Sequence, residues 1–326
     1  MSNRVLCLRP EADFLRVGVM PPATLAVHYA QPNDPALADL MKAADALVIP
    51  AVGPPLAAAL FEGTGIRLVQ VTGAGLDRLD EAEMRRLGIP VANVPGGSNE
   101  AVAEYVIAAA LVLLRRLAFA HREIGQGRYA RVRAAMLAEV PTGLTGITAG
   151  VIGLGTIGFA VAEALAKLGA HIVYFDPKPR DRHLAERSGF VSLPLTELLE
   201  TADVVTLHTP LLAQTRGLIG SAELARMKRS AILINAARGG IVDEGALAEA
   251  LRGGRLAGAA VDVYETEPPP ADHPLLKLDG AGADRLLLTP HIAGVTRQAS
   301  AKLFGAAWDN VERVLIAGRP PLHRAF

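Results

Sequence analysis

The strongest constraint on the fold is the string Val151-Ile152-Gly153-Leu154-Gly155-Thr156-Ile157-Gly158. Thr148 and Gly150 punctuate the chain before it and an apolar run of helical period follows it, so a strand, a tight turn and a helix start succeed one another without a gap. In such a string Gly153 allows the turn, Gly155 lets a pyrophosphate approach the backbone, and Gly158 lets the helix lie close on the strand, with the phosphates at the helix N-terminus. Taken alone the string also fits a plain glycine turn, because the chain has 32 glycines. Its surroundings favour the dinucleotide site. Ile157, Val161, Leu165 and Leu168 recur on one helical face, Gly169 stands where a C-cap belongs, and 171–175 reads as the next strand. That strand ends at Asp176, about 20 residues after the loop, where a carboxylate accepts hydrogen bonds from the adenosine ribose hydroxyls.

The rest of the chain keeps the same strand and helix alternation. Apolar runs at 5–8, 25–29, 46–49, 67–71 and 89–93 read as strands, with helical periodicity at 35–44, 54–61 and 77–87 between them. The turn Thr72-Gly73-Ala74-Gly75 either offers backbone N–H groups to an anion or is an ordinary turn. After the break at Pro95-Gly96-Gly97, a very apolar helix is expected from 99 to about 124. Val102, Val106, Ala109 and Leu113 spread round its faces, which requires burial on more than one side. With the arm 125–143 this surplus marks a candidate homodimer interface; burial within one subunit is the alternative. Further strands at 204–207, 231–234, 257–263 and 285–288 end in His208-Thr209-Pro210, Asn235-Ala236-Ala237-Arg238-Gly239-Gly240, Tyr264-Glu265-Thr266-Glu267-Pro268 and Thr289-Pro290-His291. Each polar cluster therefore lies at the carboxyl end of a strand, the ligand-binding edge of an open parallel sheet. The last helix, 296–317, is expected to return to the first domain.

These features predict an α/β protein of two Rossmann-like or flavodoxin-like domains with mainly parallel sheets and a cleft between them. Residues 1–98 and 289–326 would form one discontinuous domain, and 99–288 the dinucleotide-binding domain; the resemblance given below makes these the substrate domain and the NAD-binding domain. A length of 326 residues suits two such cores, and an apolar fraction of 51% with only 4% aromatics implies cores of Ala, Val, Leu and Ile. The 33 basic and 33 acidic residues leave no basic field for nucleic acid. Cys7 is the only cysteine and reads as a buried core thiol, so neither a disulfide framework nor a cysteine metal cluster is expected. The longest apolar run, 105–114, stops at Arg115-Arg116, too short to span a bilayer, and residues 1–10 have no signal-type apolar segment. The expected location is cytoplasmic, away from any membrane.

Three ionisable residues at strand ends downstream of the loop are candidates for chemistry. Hydride exchange requires a group titrating near neutrality to exchange a proton with the substrate oxygen, and His291 is that type of residue. Glu267 is the best candidate to hold the other ring nitrogen and favour the imidazolium. Arg238 offers a rigid, permanently charged fork for a carboxylate and the adjacent carbonyl. Singly each has a bland reading: His291 as a loop or capping residue, Arg238 as a surface arginine, Glu267 as a solvated side chain. No ligand spacing suggests a metal, and no nucleophile elbow suggests a reactive serine.

The strings Leu144-Thr145-Gly146-Ile147-Thr148 with Gly150–Gly158, Asn235-Ala236-Ala237-Arg238-Gly239-Gly240-Ile241-Val242-Asp243, Val261-Asp262-Val263-Tyr264-Glu265-Thr266-Glu267-Pro268 and Thr289-Pro290-His291-Ile292-Ala293-Gly294 closely resemble the D-isomer-specific 2-hydroxyacid dehydrogenases. The likeness extends through Asn99-Glu100-Ala101-Val102-Ala103-Glu104 to Thr72-Gly73-Ala74-Gly75-Leu76-Asp77. It implies Arg238 as carboxylate binder, His291 as acid in reduction and base in oxidation, and Glu267 as its partner. Ala74 and Gly75 would hold the substrate carboxylate through their backbone, and domain closure would assemble the site. It implies that the cofactor is held by Gly153, Gly155, Thr156, Ile157, Gly158 and Asp176, with Asp262 at the nicotinamide end and Val102, Thr209, Pro210, Ala236 and Gly294 lining the cleft. Two positions depart from the pattern: Ile147 replaces a usual lysine, and Pro50-Ala51-Val52 stands where phosphoglycerate-type members carry an arginine. A small or apolar 2-oxo acid such as glyoxylate, hydroxypyruvate or a pyruvate homologue is the expected substrate. Asp176 repels a 2′-phosphate and so favours NAD, although Lys178 and Arg180 lie nearby. A same-fold enzyme acting on a phosphite-like donor and a non-catalytic NAD-sensing protein share these features and remain alternatives.

Overall fold

Short strands, the central ones aliphatic and buried on both faces, build two sheets in which every strand pairing is parallel. In Ala46–Ile49, Val204–Leu207, Ile232–Asn235 and Gly258–Val261 each residue is buried, which is why these runs lack the alternation of a half-exposed strand. The computed structural model describes residues 3–179 and 181–326. The chain divides into two compact units, Met1–Ser98 with Val295–Phe326, and Asn99–Gly294.

In the first unit β1 (Arg4–Cys7), β2 (Ala26–Tyr29), β3 (Ala46–Ile49), β4 (Val69–Val71) and β5 (Val91–Ala92) lie in the order β2-β1-β3-β4-β5. One face of this sheet is covered by the helix Arg297–Leu315. Its Phe304, Trp308 and Val311 join Val5, Cys7, Phe14 and Val48 in one core, with the Phe14 ring 4.8 Å from Phe304 and 5.2 Å from Trp308. Cys7 is fully buried there, and desolvation pushes its thiol pKa up to about 12, leaving it inert.

The second unit contains β6 (Thr148–Ile152), β7 (His171–Phe175), β8 (Val191–Ser192), β9 (Val204–Leu207), β10 (Ile232–Asn235), β11 (Gly258–Val261) and β12 (Leu286–Leu288), in the order β12-β11-β10-β9-β6-β7-β8. The winding reverses between β6 and β9, so the glycine loop after β6 opens at the topological switch point. The unit runs to Gly294 rather than to 288. The turn after β12 stays with it because the buried Asp262 carboxylate accepts the amides of Ile292 and Ala293, each at 2.8 Å.

The single helix expected over 99–124 is two helices, Asn99–Leu114 and Leu117–Gly125. Arg116 adopts φ 50° between them. The Arg116 amide bonds back to Leu113 O at 3.1 Å, tightening the last turn and closing the first helix with a left-handed residue. Val102, expected beside the cofactor, is only 5% exposed and belongs to the core that this helix forms with Val161 and Leu165 of the helix Thr156–Lys167. The arm adds a third helix, Tyr129–Glu139. Among the described residues no helix is long and apolar enough to cross a membrane.

Candidate active site

The glycine loop shows a division of labour that follows from sterics. Gly153 has φ 91°, and a Cβ there would lie 2.7 Å from the carbonyl oxygen of His208 at the end of β9. A Cβ on Gly158 would lie 1.9 Å from the Gly153 oxygen, so only glycine lets the helix Thr156–Lys167 come down on the loop. At Gly155 an added Cβ would meet nothing within 4 Å. Gly155 is also the helix N-cap and makes no side-chain capping bond. A cavity beside it is lined by Asn99, Leu154, Gly155, Thr156 and Asp181, among others. An open, uncapped helix N-terminus next to a cavity fits a pyrophosphate.

Asp176 closes the loop from the end of β7. Its Oδ2 accepts the Leu154 amide and its Oδ1 the Lys178 amide, each at 2.7 Å. The carboxylate is thereby fixed against the loop with lone pairs left for further donors. Lys178 is exposed, and Arg180 lies outside the described residues. After β9 the His208 ring is 2.9 Å from Thr206 Oγ1, and its burial pushes the pKa down to about 3, so it is neutral at working pH. Thr209 is half-buried and Pro210 exposed; the Pro210 carbonyl accepts from Thr215 Oγ1 at 2.7 Å.

Arg238 stands in the turn after β10, with Ala236 half-buried before it. Asn235 latches this turn: its Nδ2 donates to Arg238 O at 3.0 Å and its Oδ1 accepts the Ala237 amide at 3.2 Å. Arg238 Nη1 donates to Ala237 O at 2.6 Å. Beyond it, a Cβ on Gly239 would lie 2.0 Å from the carbonyl carbon and oxygen of Tyr264, so the arginine turn rests directly on the backbone of the loop after β11. That loop carries Glu267. Its Oε2 is 2.8 Å and its Oε1 3.1 Å from His291 Nδ1, and Oε1 also accepts the Tyr264 amide at 3.0 Å. His291 Nε2 has no partner among the described residues.

His291 has φ 56°, a left-handed conformation that costs a residue with a Cβ about 1 kcal/mol or more. Asp262 holds it there. This carboxylate is fully buried and accepts from Thr289 Oγ1 at 2.6 Å and from the Ile292 and Ala293 amides, while the Asp262 carbonyl takes the His291 amide at 2.7 Å. The sequence put Asp262 at the nicotinamide end; here its oxygens are spent on the histidine turn, with no exposed surface. Gly294 follows half-buried. Asn235 and Thr289 were missed as latches, although a short polar side chain at a strand end is the type that bonds a turn backbone.

Arg238, Glu267 and His291 thus belong to one unit, and Ala74 and Gly75 to the other. In the latter the Ala74 carbonyl accepts from Asn93 Nδ2 at 2.7 Å and the Gly73 carbonyl from the Val94 amide at 2.9 Å, whereas the Ala74 and Gly75 amides have no acceptor among the described residues. Such a pair of donors suits an anion. Among the described residues no group of His, Cys, Asp and Glu could hold a metal ion.

Residues 107–293 match the family model described as D-isomer specific 2-hydroxyacid dehydrogenase, NAD binding domain. The chain belongs to the D-isomer-specific 2-hydroxyacid dehydrogenases. It is 35% identical over 283 residues to a glyoxylate reductase of Korarchaeum cryptofilum, covering 86% of this chain and 83% of that one. It is 41% identical over 234 residues to a D-3-phosphoglycerate dehydrogenase of Archaeoglobus fulgidus, covering 72% of this chain but 42% of that longer one. The apo structure of Rhodotorula graminis D-mandelate dehydrogenase superimposes with a TM-score of 0.82 at 25% identity, covering 100% of this chain and 98% of that one. As in other D-2-hydroxyacid dehydrogenases the cofactor is NAD, and the glycine loop, the open helix end and Asp176 fit it.

Proposed function

We propose that this dehydrogenase interconverts a small 2-oxo acid and its D-2-hydroxy acid, with His291 as the proton-exchanging group, Glu267 as its partner and Arg238 as the carboxylate binder. The observation that carries this reading is the His291–Glu267 pair: a carboxylate 2.8 Å from Nδ1 fixes the ring, while Nε2 remains for a substrate oxygen. Bound NADH supplies the hydride in reduction. His291 Nε2 gives its proton to the carbonyl oxygen as that oxygen becomes the hydroxyl, and takes it back in oxidation. Arg238 neutralises the substrate carboxylate and orients the carbonyl. Ala74 and Gly75 offer two amide donors to an anion.

A small side chain on the substrate is supported by the loop after β3. Pro50-Ala51-Val52 carries no cation of its own, and the buried Arg78 behind it donates from Nε to Pro54 O at 2.9 Å and from Nη1 to Pro50 O at 3.2 Å, its buried Nη2 having no partner among the described residues. Glyoxylate, hydroxypyruvate and pyruvate homologues are the substrates of choice. Asp176 disfavours a 2′-phosphate, so NADH is preferred over NADPH. The exposed apolar side chains of Leu117 and Ile124 on the helix Leu117–Gly125, and of Tyr129, Leu137 and Val140 on and just after Tyr129–Glu139, suit a homodimer interface.

The test is a panel of 2-oxo acids followed by NADH absorbance. Turnover is expected on at least one small member; NADH binding without turnover on any would favour an NAD-sensing role. His291→Ala should lower kcat by about 100-fold or more with NADH affinity unchanged, and equal activity would remove the histidine from its role.

A further inference from the structure

The loop that carries Glu267 is clasped at both ends by a single, largely covered carboxylate, that of Glu244. Glu244 opens the helix Glu244–Arg252 behind Asp243, and its side chain is 12% exposed. Its Oε1 accepts the Glu265 amide at 2.9 Å, and its Oε2 is 2.5 Å from His273 Nε2. His273, 6% exposed, accepts the Leu275 amide on Nδ1 at 3.3 Å, which puts its proton on Nε2, facing Glu244. Glu265 turns its own carboxylate away to Arg216 at 2.7 Å, so only its backbone reaches Glu244. The segment from Glu265 to His273 is therefore a loop with both feet on one carboxylate, and Glu267 lies within it.

The same backbone supports the other half of the site. The Tyr264–Glu265 peptide sits between Glu244 and the Arg238 turn, because a Cβ on Gly239 would overlap it at 2.0–2.3 Å. Tyr264 is fixed in turn by its hydroxyl on Thr289 O at 3.0 Å and its ring lies edge-on to His273 at 5.9 Å. A shift of this peptide moves Glu267 relative to His291 and loosens the seat of Arg238 together.

We propose that Glu244 and His273 form a positioning pair that holds Glu267 on His291 and seats the Arg238 turn. The proposal rests on the acid–base reading above and names two residues that act through others without touching substrate. A buried carboxylate stripped of its donor is strained toward other partners, so the pair works only intact.

The test compares His273→Leu, which removes the donor, with His273→Gln, which keeps an N–H for Glu244. The Leu variant is expected to lose about 10- to 100-fold in kcat with NADH affinity unchanged, and the Gln variant to recover most of that loss. A folded His273→Leu enzyme with wild-type kcat, even one that melts earlier, would overturn the proposal. Should that variant not fold, Glu244→Gln carries the same expectations. If the wild-type protein turns over no 2-oxo acid, the functional reading falls while the proposal is still tested by NMR. The His291 ring signal should then shift in His273→Leu in the same sense as in Glu267→Gln, and an unmoved signal would overturn the pair.

Discussion

His291 is held in an unfavourable backbone conformation by a neighbour that it does not touch through its ring. Asp262 takes donors from Thr289, Ile292 and Ala293, and so converts one buried negative charge into a rigid turn. Asp262→Asn exchanges one accepting oxygen for an N–H group that meets another N–H donor. We expect a loss of about 3 kcal/mol in urea unfolding and a fall in kcat larger than any change in NADH affinity. A variant as stable as the wild type would show that the turn does not depend on this carboxylate. The pairing of His291 with Glu267 was legible in the sequence because both stand at strand ends that must converge on one edge. The work of Asp262 was not, because its partners lie 27 to 31 residues away and only the folded chain brings their amides to it.

The strands were legible from their apolar runs, and so was the helix after the glycine loop. Several features escaped, three of them for separate reasons. Glu11–Arg16 is six residues long with only Phe14 buried, β8 is a two-residue exposed edge strand, and the break at Arg116 depends on one dihedral angle within a helical pattern. The end of β9 has a consequence for stability. His208 is neutral in the folded protein, with a pKa of about 3, but the unfolded chain binds a proton there below about pH 6.5. Its contribution is thus complete above that pH and is lost as the pH falls from 6.5 towards 3, by at most about 1.4 kcal/mol per pH unit. Urea unfolding at pH 7 and pH 5 should show a smaller drop for His208→Gln than for the wild type; equal drops would assign the acid sensitivity elsewhere.

At the scale of the whole molecule, the apolar arm bears on assembly. Val140 is 76% exposed and Leu137 60%, values a lone chain gains nothing from. Light scattering should give a dimer for the wild type and a monomer for the Leu137→Asp, Val140→Asp double variant; an unchanged mass would move the interface away from the arm. The division of the chain has a different kind of consequence, in the order of events during synthesis. Asn99–Gly294 is one continuous stretch and can close its core as soon as it has left the ribosome. The first 98 residues emerge earlier, yet Phe14, Val5 and Cys7 wait for Phe304 and Trp308, which are made only after the whole of Asn99–Gly294. Residues 1–98 therefore mature after the stretch that follows them, and a nascent chain exposes that apolar face while Asn99–Gly294 is translated.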